Sequence, residues 1–314
     1  MPRGTPAPCA WAATQARWMR MVVTGRFQGR AAAETPRLDG RVAVVTGGGR
    51  GLGRVLASSL AERGASVAVL ARSGAELART VELIRSAGGL AGAWSVDVTD
   101  PDSVERTFRD VERVLGPIDV LVNNAGECGP CGSLWEVDAG RWWRAIEVNL
   151  AGVHLCSAAV LPGMVERGRG RIINVASHAG AYRWPTMSAY AVSKAAVIRY
   201  TEHVAVEARR HGVTAFAIHP GLLTIGLTEE VLAHDAPADS SLGRIATWIR
   251  AQLDGTDSGC PRRAARLVAL LASGEGDALS GRYLSVEHDV AALLERADEV
   301  ERDDLHTLRI RELS

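Results

Sequence analysis

Lysine is almost missing from this chain. Of 36 basic residues one is lysine, Lys194, which leaves 35 arginines. Asparagine stands at four positions only: Asn123, Asn124, Asn149 and Asn174. A GC-rich coding sequence produces such scarcity, and it makes the survivors informative. Arginine stays protonated in any surroundings, whereas a lysine can be tuned and offers a compact point charge. A lone lysine on a helix is otherwise a solvated surface group, so the neighbours of Lys194 decide its meaning. An excess of either charge is missing too, since Lys+Arg and Asp+Glu are both 36. That balance argues against nucleic acid or a charged membrane surface as partner. No uninterrupted apolar run reaches the roughly 18–20 residues that cross a bilayer. Five cysteines, an odd number in a long chain, do not make a secreted disulfide framework. Their spacing to histidine suits no metal, and none is expected. With 47% hydrophobic and 23% charged residues, the expectation is a cytoplasmic globular protein.

Residues 1–36 carry five arginines, no acid before Glu34 and no serine. They lack an apolar core with a small-residue cleavage site and do not read as a secretory signal. An arginine-rich, acid-poor start resembles a mitochondrial transit segment, but the missing serine argues against it. The expectation is a disordered leader or a misassigned start, with Met19 or Met21 as the true one. From Arg41 onward short β-branched runs alternate with longer amphipathic stretches. Strands are predicted over 42–46, 66–70, 92–97, 119–123, 170–176, 214–218 and 282–286. Helices are predicted over 52–63, 74–86, 102–115, 139–167, 188–211 and 262–271. Seven strands alternating with helices imply an α/β fold: a doubly wound, Rossmann-type parallel sheet with helices on both faces. The domain is placed at 37–289. Residues 224–259, rich in Asp, Ser and Gly, break the alternation as a candidate lid over the substrate, and 290–314 form an acidic, helical tail.

A glycine-rich turn, Thr46-Gly47-Gly48-Gly49-Arg50-Gly51-Leu52-Gly53, joins the first strand to the first helix. Glycines allow close backbone approach, and a helix N-terminus offers free N–H groups and a positive dipole end, so a pyrophosphate fits there. The spacing is neither G-x-G-x-x-G, because Arg54 holds the last position, nor a Walker A loop. A ligand-free tight turn is the plainer alternative. After the second strand an acid would bind the ribose 2′-hydroxyl of NAD. Here Arg72 stands instead, and with Arg50 it suits a 2′-phosphate, so NADP(H) is expected over NAD(H). Tyr190 and Lys194 are i, i+4 on one predicted helix face. An ammonium beside a phenol would pull its pKa down from ~10 and make it a general acid or base near neutrality. Ser177 ends a predicted strand, where open α/β sheets hold ligands.

These motifs together resemble the classical short-chain dehydrogenase/reductase family, over about residues 38–286. The family's T-G-x-x-x-G-x-G pattern falls on Thr46, Gly47, Gly51 and Gly53, and its N-N-A-G pattern on Asn123, Asn124, Ala125 and Gly126. The resemblance places the catalytic set at Asn149, Ser177, Tyr190 and Lys194. It implies cofactor contacts at Leu52, Asp97 and Val98 and at Asn124, Ala125 and Gly126. It adds Pro220 and Gly221 beside the nicotinamide, and Tyr190 and Lys194 at its ribose. It further implies hydride transfer between NADP(H) and a small carbonyl or alcohol. In that scheme Tyr190 supplies the proton, Ser177 orients the oxygen and Asn149 supports a relay water. A homodimer or homotetramer would follow, with Trp142 or Trp143 either packed or at a subunit contact.

Three features depart from the pattern. Ile225 stands five residues past Pro220 where a threonine is usual, with Thr224 one position early. Glu287-His288-Asp289 replaces Asp-Gly-Gly, and the tail is additional. Cys128-Gly129-Pro130-Cys131 copies a thioredoxin motif, but it opens a loop and not a helix, so it is expected to be a decoy. Two other functions stay open: a non-catalytic NADP(H)-sensing protein on the same scaffold, and thiol redox chemistry at Cys128 and Cys131.

Overall fold

The computed structural model describes residues 36–253 and 260–310. The expected leader lies almost entirely outside the described residues, as do the last six positions of the expected lid and the last four of the tail. Seven parallel strands form one sheet in the order β3-β2-β1-β4-β5-β6-β7. They are β1 Val42–Thr46, β2 Ser66–Ala71, β3 Leu90–Ser95, β4 Ile118–Asn123, β5 Gly170–Val175, β6 Val213–His219 and β7 Tyr283–Ser285. The strand order reverses between β1 and β4, and this switch point opens a crevice at the carboxyl ends of the strands.

Each central strand is apolar on both faces, as a doubly covered sheet requires. In β1, Ala43 and Val45 join a core with α1 (Gly51–Glu62), α2 (Gly74–Ser86) and α10 (Arg262–Ser273). Val42 and Val44 face the opposite core, under α3 (Pro101–Leu115), α5 (Gly152–Glu166) and α7 (Ser188–Ala208). Helix α3 starts cleanly because Asp100 accepts a hydrogen bond from Ser103 N at 3.2 Å and Pro101 fills the first turn. Such a cap is worth about 1 kcal/mol. Asn123 donates to Asn174 Oδ1 at 2.8 Å and to Ser157 at 3.1 Å, and Asn174 donates to Thr201 at 2.9 Å. Asn174, outside every motif, thus ties β4 and β5 to the helices beneath them.

Several boundaries differ from expectation. The predicted helix over 139–167 is α4 (Ala139–Ile146) and α5 joined by a π-helical segment, Glu147–Ala151. Taken whole, Ala139–Glu166 is long and apolar enough to cross a membrane by length and composition, although it is not an uninterrupted apolar run. It passes because a few charges are diluted by many small apolar residues, while Cys156, Val160 and Met164 are packed in the core. Strand β3 starts two residues early, at an edge where Leu90 is exposed. The lid segment carries α8 (Leu227–Ala233) and α9 (Ser241–Leu253). The tail is helical only through α11 (Val290–Glu295) and α12 (Ala297–Arg302), whose Val290 and Val300 are core residues. Beyond them it turns, with Asp304 and His306 at positive φ, and His306 O accepts from Tyr283 N at 2.8 Å.

Candidate active site

At the first turn, Thr46 Oγ1 accepts from the backbone N–H groups of Asn124 and Ala125, both at 3.0 Å. The Asn124 side chain donates back to Thr46 O at 2.9 Å. The ends of β1 and β4 are thereby pinned together, and Gly53 packs against that joint. A Cβ there would lie 2.1 Å from Gly47 O, so only glycine lets α1 start this close to the turn. Helix α1 begins with no side-chain cap and no acid in its first turn. Its free N–H groups open onto a crevice of about 520 Å³, and that uncapped, glycine-bared terminus fits a pyrophosphate.

The expected residues that line this crevice are Gly47, Arg50, Gly51, Leu52, Gly53, Arg72, Asp97, Val98, Asn124, Ala125, Gly126, Ser177, Tyr190, Lys194, Pro220 and Gly221. Thr46 and Asn149 do not. Thr46 is buried behind the turn it pins. Asn149, fully buried in the π segment, accepts from Glu127 N at 2.8 Å and donates to Glu127 O and Ser193 Oγ. Its side chain clamps the loop after β4 to α7. Arg50 is also diverted, being paired with Glu230 of the lid and lying 3.9 Å from Glu76. No ion pair engages Arg72 among the described residues. Asp97 is fixed by Thr99 N and Oγ1 and by Arg144 at 3.2 Å. Burial opposes its ionisation, but these donors together hold its carboxyl below the usual range.

In the middle of the crevice, the Ser177 and Tyr190 hydroxyls are neighbours, with Ser177 placed to donate toward the phenol oxygen. Ser177 caps the short helix α6 (His178–Ala181) by accepting from Ala179 N at 3.1 Å. Lys194, one turn beyond Tyr190 on α7, is 3% exposed and donates to Val175 O at 2.7 Å. Its Nζ lies 5.7 Å from the Tyr190 ring centroid. The expected lowering of the phenol pKa is not found. Desolvation pushes the Tyr190 phenol well above its ordinary value, and the Ser177 bond offsets this only in part. Desolvation also lowers the Lys194 ammonium to about 8. The ammonium is held on a backbone carbonyl and does not reverse the cost of burial at the phenol.

The two decoy cysteines sit beside this centre. Burial pushes the Cys128 thiol up to about 12 and raises that of Cys131 as well. Both join an apolar cluster with Met187, Val231 and Ile245. A thiol held protonated is a poor nucleophile, so this geometry does not suit redox exchange.

Other residues brought together here left no signal in sequence spacing. Thr224 is exposed outside the crevice, while Thr228, on the lid helix α8, lines it. His178, His219 and Glu287 come from the ends of β5, β6 and β7, with ligating atoms within 4.8 Å of one another. Both ring nitrogens of His178 are engaged, Nε2 with Glu287 at 3.1 Å and Nδ1 with the Tyr283 hydroxyl at 2.9 Å. His219 stacks on His178 with ring centroids 3.8 Å apart and accepts from His178 N. The rings are tilted by 38°, and both His178 nitrogens and His219 Nδ1 are already engaged, so these contacts make the group a hydrogen-bonded support at the ends of β5, β6 and β7.

Residues 41–236 match the family model described as short chain dehydrogenase. A short chain dehydrogenase of Pseudocercospora fijiensis (strain CIRAD86) is 34% identical over 281 residues, covering 88% of this chain and 87% of the relative. A variant of the actinorhodin polyketide ketoreductase with NADPH superposes with a TM-score of 0.72 at 32% identity, covering 78% of this chain and 95% of the other. NAD+-bound xylitol dehydrogenase superposes with a TM-score of 0.72 at 28% identity, covering 79% and 97%.

Proposed function

The chain belongs to the short-chain dehydrogenase family, an oxidoreductase family acting on CH–OH and C=O groups with NAD(P), and on that premise we propose that it interconverts a carbonyl and a secondary alcohol with NADP(H) preferred. When bound, the nicotinamide supplies or takes up the hydride. The chain's own residues do the rest. The bared N-terminus of α1 and the glycines of its turn hold the pyrophosphate, and Asp97 and Val98 flank the adenine. Arg72 meets the 2′-phosphate, and Arg50 joins it on leaving Glu230. Lys194 and Tyr190 hold the nicotinamide ribose, and Pro220 and Gly221 border the ring.

For the carbonyl, Ser177 and Tyr190 present two hydroxyls to one oxygen. Burial keeps the phenol protonated through neutral pH, which suits a group that must donate its proton as negative charge develops on that oxygen. Reduction consumes this proton, so low pH draws the equilibrium toward the alcohol and high pH toward the carbonyl. The observation that carries this reading is the Ser177–Tyr190 hydroxyl pair, with Lys194 one turn away, opening into the same crevice as the glycine turn. The test follows the reduced-cofactor absorbance with purified protein and a set of ketones. Tyr190→Phe is expected to lose at least about a hundredfold in turnover, while NADPH affinity falls by no more than about tenfold through loss of one hydrogen bond to the ribose. Turnover intact in that variant removes Tyr190 from the mechanism. Cofactor binding with no turnover of any carbonyl by the natural chain favours a sensing role instead.

A further inference from the structure

The crevice is charged at one end only. Among the described residues its lining cations apart from histidine are Arg50, Arg72, Arg144 and Lys194. Three of them lie beside the glycine turn, β2 and Asp97, and the fourth is held on Val175 O. Past Tyr190 the wall is Met187, Val231, Ile245 and Ile249, closed by Trp184 and Trp248. The two indoles meet edge to face with centroids 4.8 Å apart. Trp248 Nε1 is shut off from the open crevice and has no hydrogen-bond partner among the described residues. A buried indole N–H without an acceptor is costly, and a ligand oxygen that meets it once the indole turns toward the crevice recovers that cost. Among the described residues no cation answers a negative charge at this end, where the neutral polar groups are Thr228 and Gln252. Glu287 lines the crevice on the side of His178, and His219 is held uncharged by its burial. An anionic group would have to leave water for apolar wall and carboxylate.

We infer that the substrate is an uncharged aryl ketone, or the matching alcohol, whose ring packs against the Trp184–Trp248 pair and whose far end carries an oxygen that accepts from Trp248 Nε1. This rests on the hydride-transfer reading above. Carboxylates, phosphates and sulfonates are disfavoured at this end. Small aliphatic ketones fit without using the indoles, and gain little from them. The lid supplies much of the specificity, since Val231 is on α8 and Ile245, Trp248 and Ile249 are on α9.

A matched series decides this: 2-butanone, acetophenone, 4-methoxyacetophenone and 4-acetylbenzoate, each with NADPH. Acetophenone is expected to exceed 2-butanone by about a hundredfold in kcat/KM, from burial of one phenyl ring. The methoxy oxygen is expected to add about fivefold to tenfold, mostly through KM. The carboxylate is expected to remove at least about tenfold relative to acetophenone. Trp248→Phe should erase the methoxy advantage, and a persisting advantage overturns the role of Nε1. Parity of 2-butanone or 4-acetylbenzoate with acetophenone in the natural chain overturns the inference without any variant. Affinities read from tryptophan fluorescence with NADP+ bound separate the two claims. The same order of affinities without turnover upholds the aryl pocket and sinks hydride transfer. A flat order of affinities sinks the pocket, whether or not the ketones are reduced.

Discussion

Replacing Lys194 by methionine should make the nucleotide-free protein more stable at pH 7 while abolishing reduction. Lys194 is 3% exposed, and its ammonium falls from an ordinary 10.5 to about 8 through burial. That fall corresponds to about 3 kcal/mol by which the charged form strains the folded state. The sign follows from proton binding. Below pH 8 both folded and unfolded chains carry the proton, so the full cost applies. Between 8 and 10.5 the folded chain releases its proton first and the cost fades, and above 10.5 it is gone. Methionine is similar in length, apolar and uncharged. It removes the charge cost but gives up the 2.7 Å bond to Val175 O, a loss of about 1–2 kcal/mol. The net expectation at pH 7 is a gain of about 1–2 kcal/mol, seen as a rise of a few degrees in Tm. Near pH 10.5 the difference should vanish or reverse. Urea melts of both proteins across pH 7–10.5, without nucleotide because ligand binding would mask the comparison, measure it directly. A variant less stable than the natural chain at pH 7, with a difference independent of pH, would refute the claim that Lys194 is a strained buried charge.

Three further outcomes follow from the same site. Arg72→Ala should weaken NADPH by roughly tenfold to a hundredfold and leave NADH nearly unchanged, because it removes a charge-assisted bond that only a 2′-phosphate can use. Glu230→Gln should act in the opposite sense, tightening NADPH by about threefold as Arg50 is freed from the lid. Fluorescence titration reads both, and equal effects on the two cofactors would contradict the 2′-phosphate assignment. With pH, kcat/KM for NADPH is expected to stay level to about 8 and then fall about tenfold per unit, as the free enzyme loses the Lys194 ammonium. A profile flat to pH 10 would place the Lys194 pKa far above 8.

Much of the fold was legible because parallel strands buried on both faces write themselves as β-branched runs. Val42–Thr46 and Gly74–Ser86 fall where the pattern puts them. The misses have physical causes. The edge strand β3 has one covered face and little alternation, so its start at Leu90 leaves no mark. The π segment Glu147–Ala151 slips the hydrogen-bond register without breaking the apolar stripe, and a stripe is all that periodicity reports. Asn174 looked unassigned because its function, bonding Asn123 and Thr201, is a relation between three distant elements.

The site divides along the same line. Its nucleotide end was readable, since a glycine turn and a helix terminus are local objects whose chemistry travels with a few consecutive residues. Its substrate end was not, because Trp184 and Trp248 meet only when the lid folds over α7, and His178, His219 and Glu287 only when β5, β6 and β7 line up. The phenol marks the boundary between the two kinds of knowledge. Spacing of i, i+4 establishes that Lys194 follows Tyr190 by a turn, and a neighbouring cation alone would lower the phenol. Burial is a property of the assembled crevice, and it acts on both groups in the unfavourable sense, raising the phenol and lowering the ammonium. With the ammonium held on Val175 O, desolvation outweighs the pair attraction. A tyrosine in that state stays protonated at neutral pH, the form from which a proton passes to a developing alkoxide.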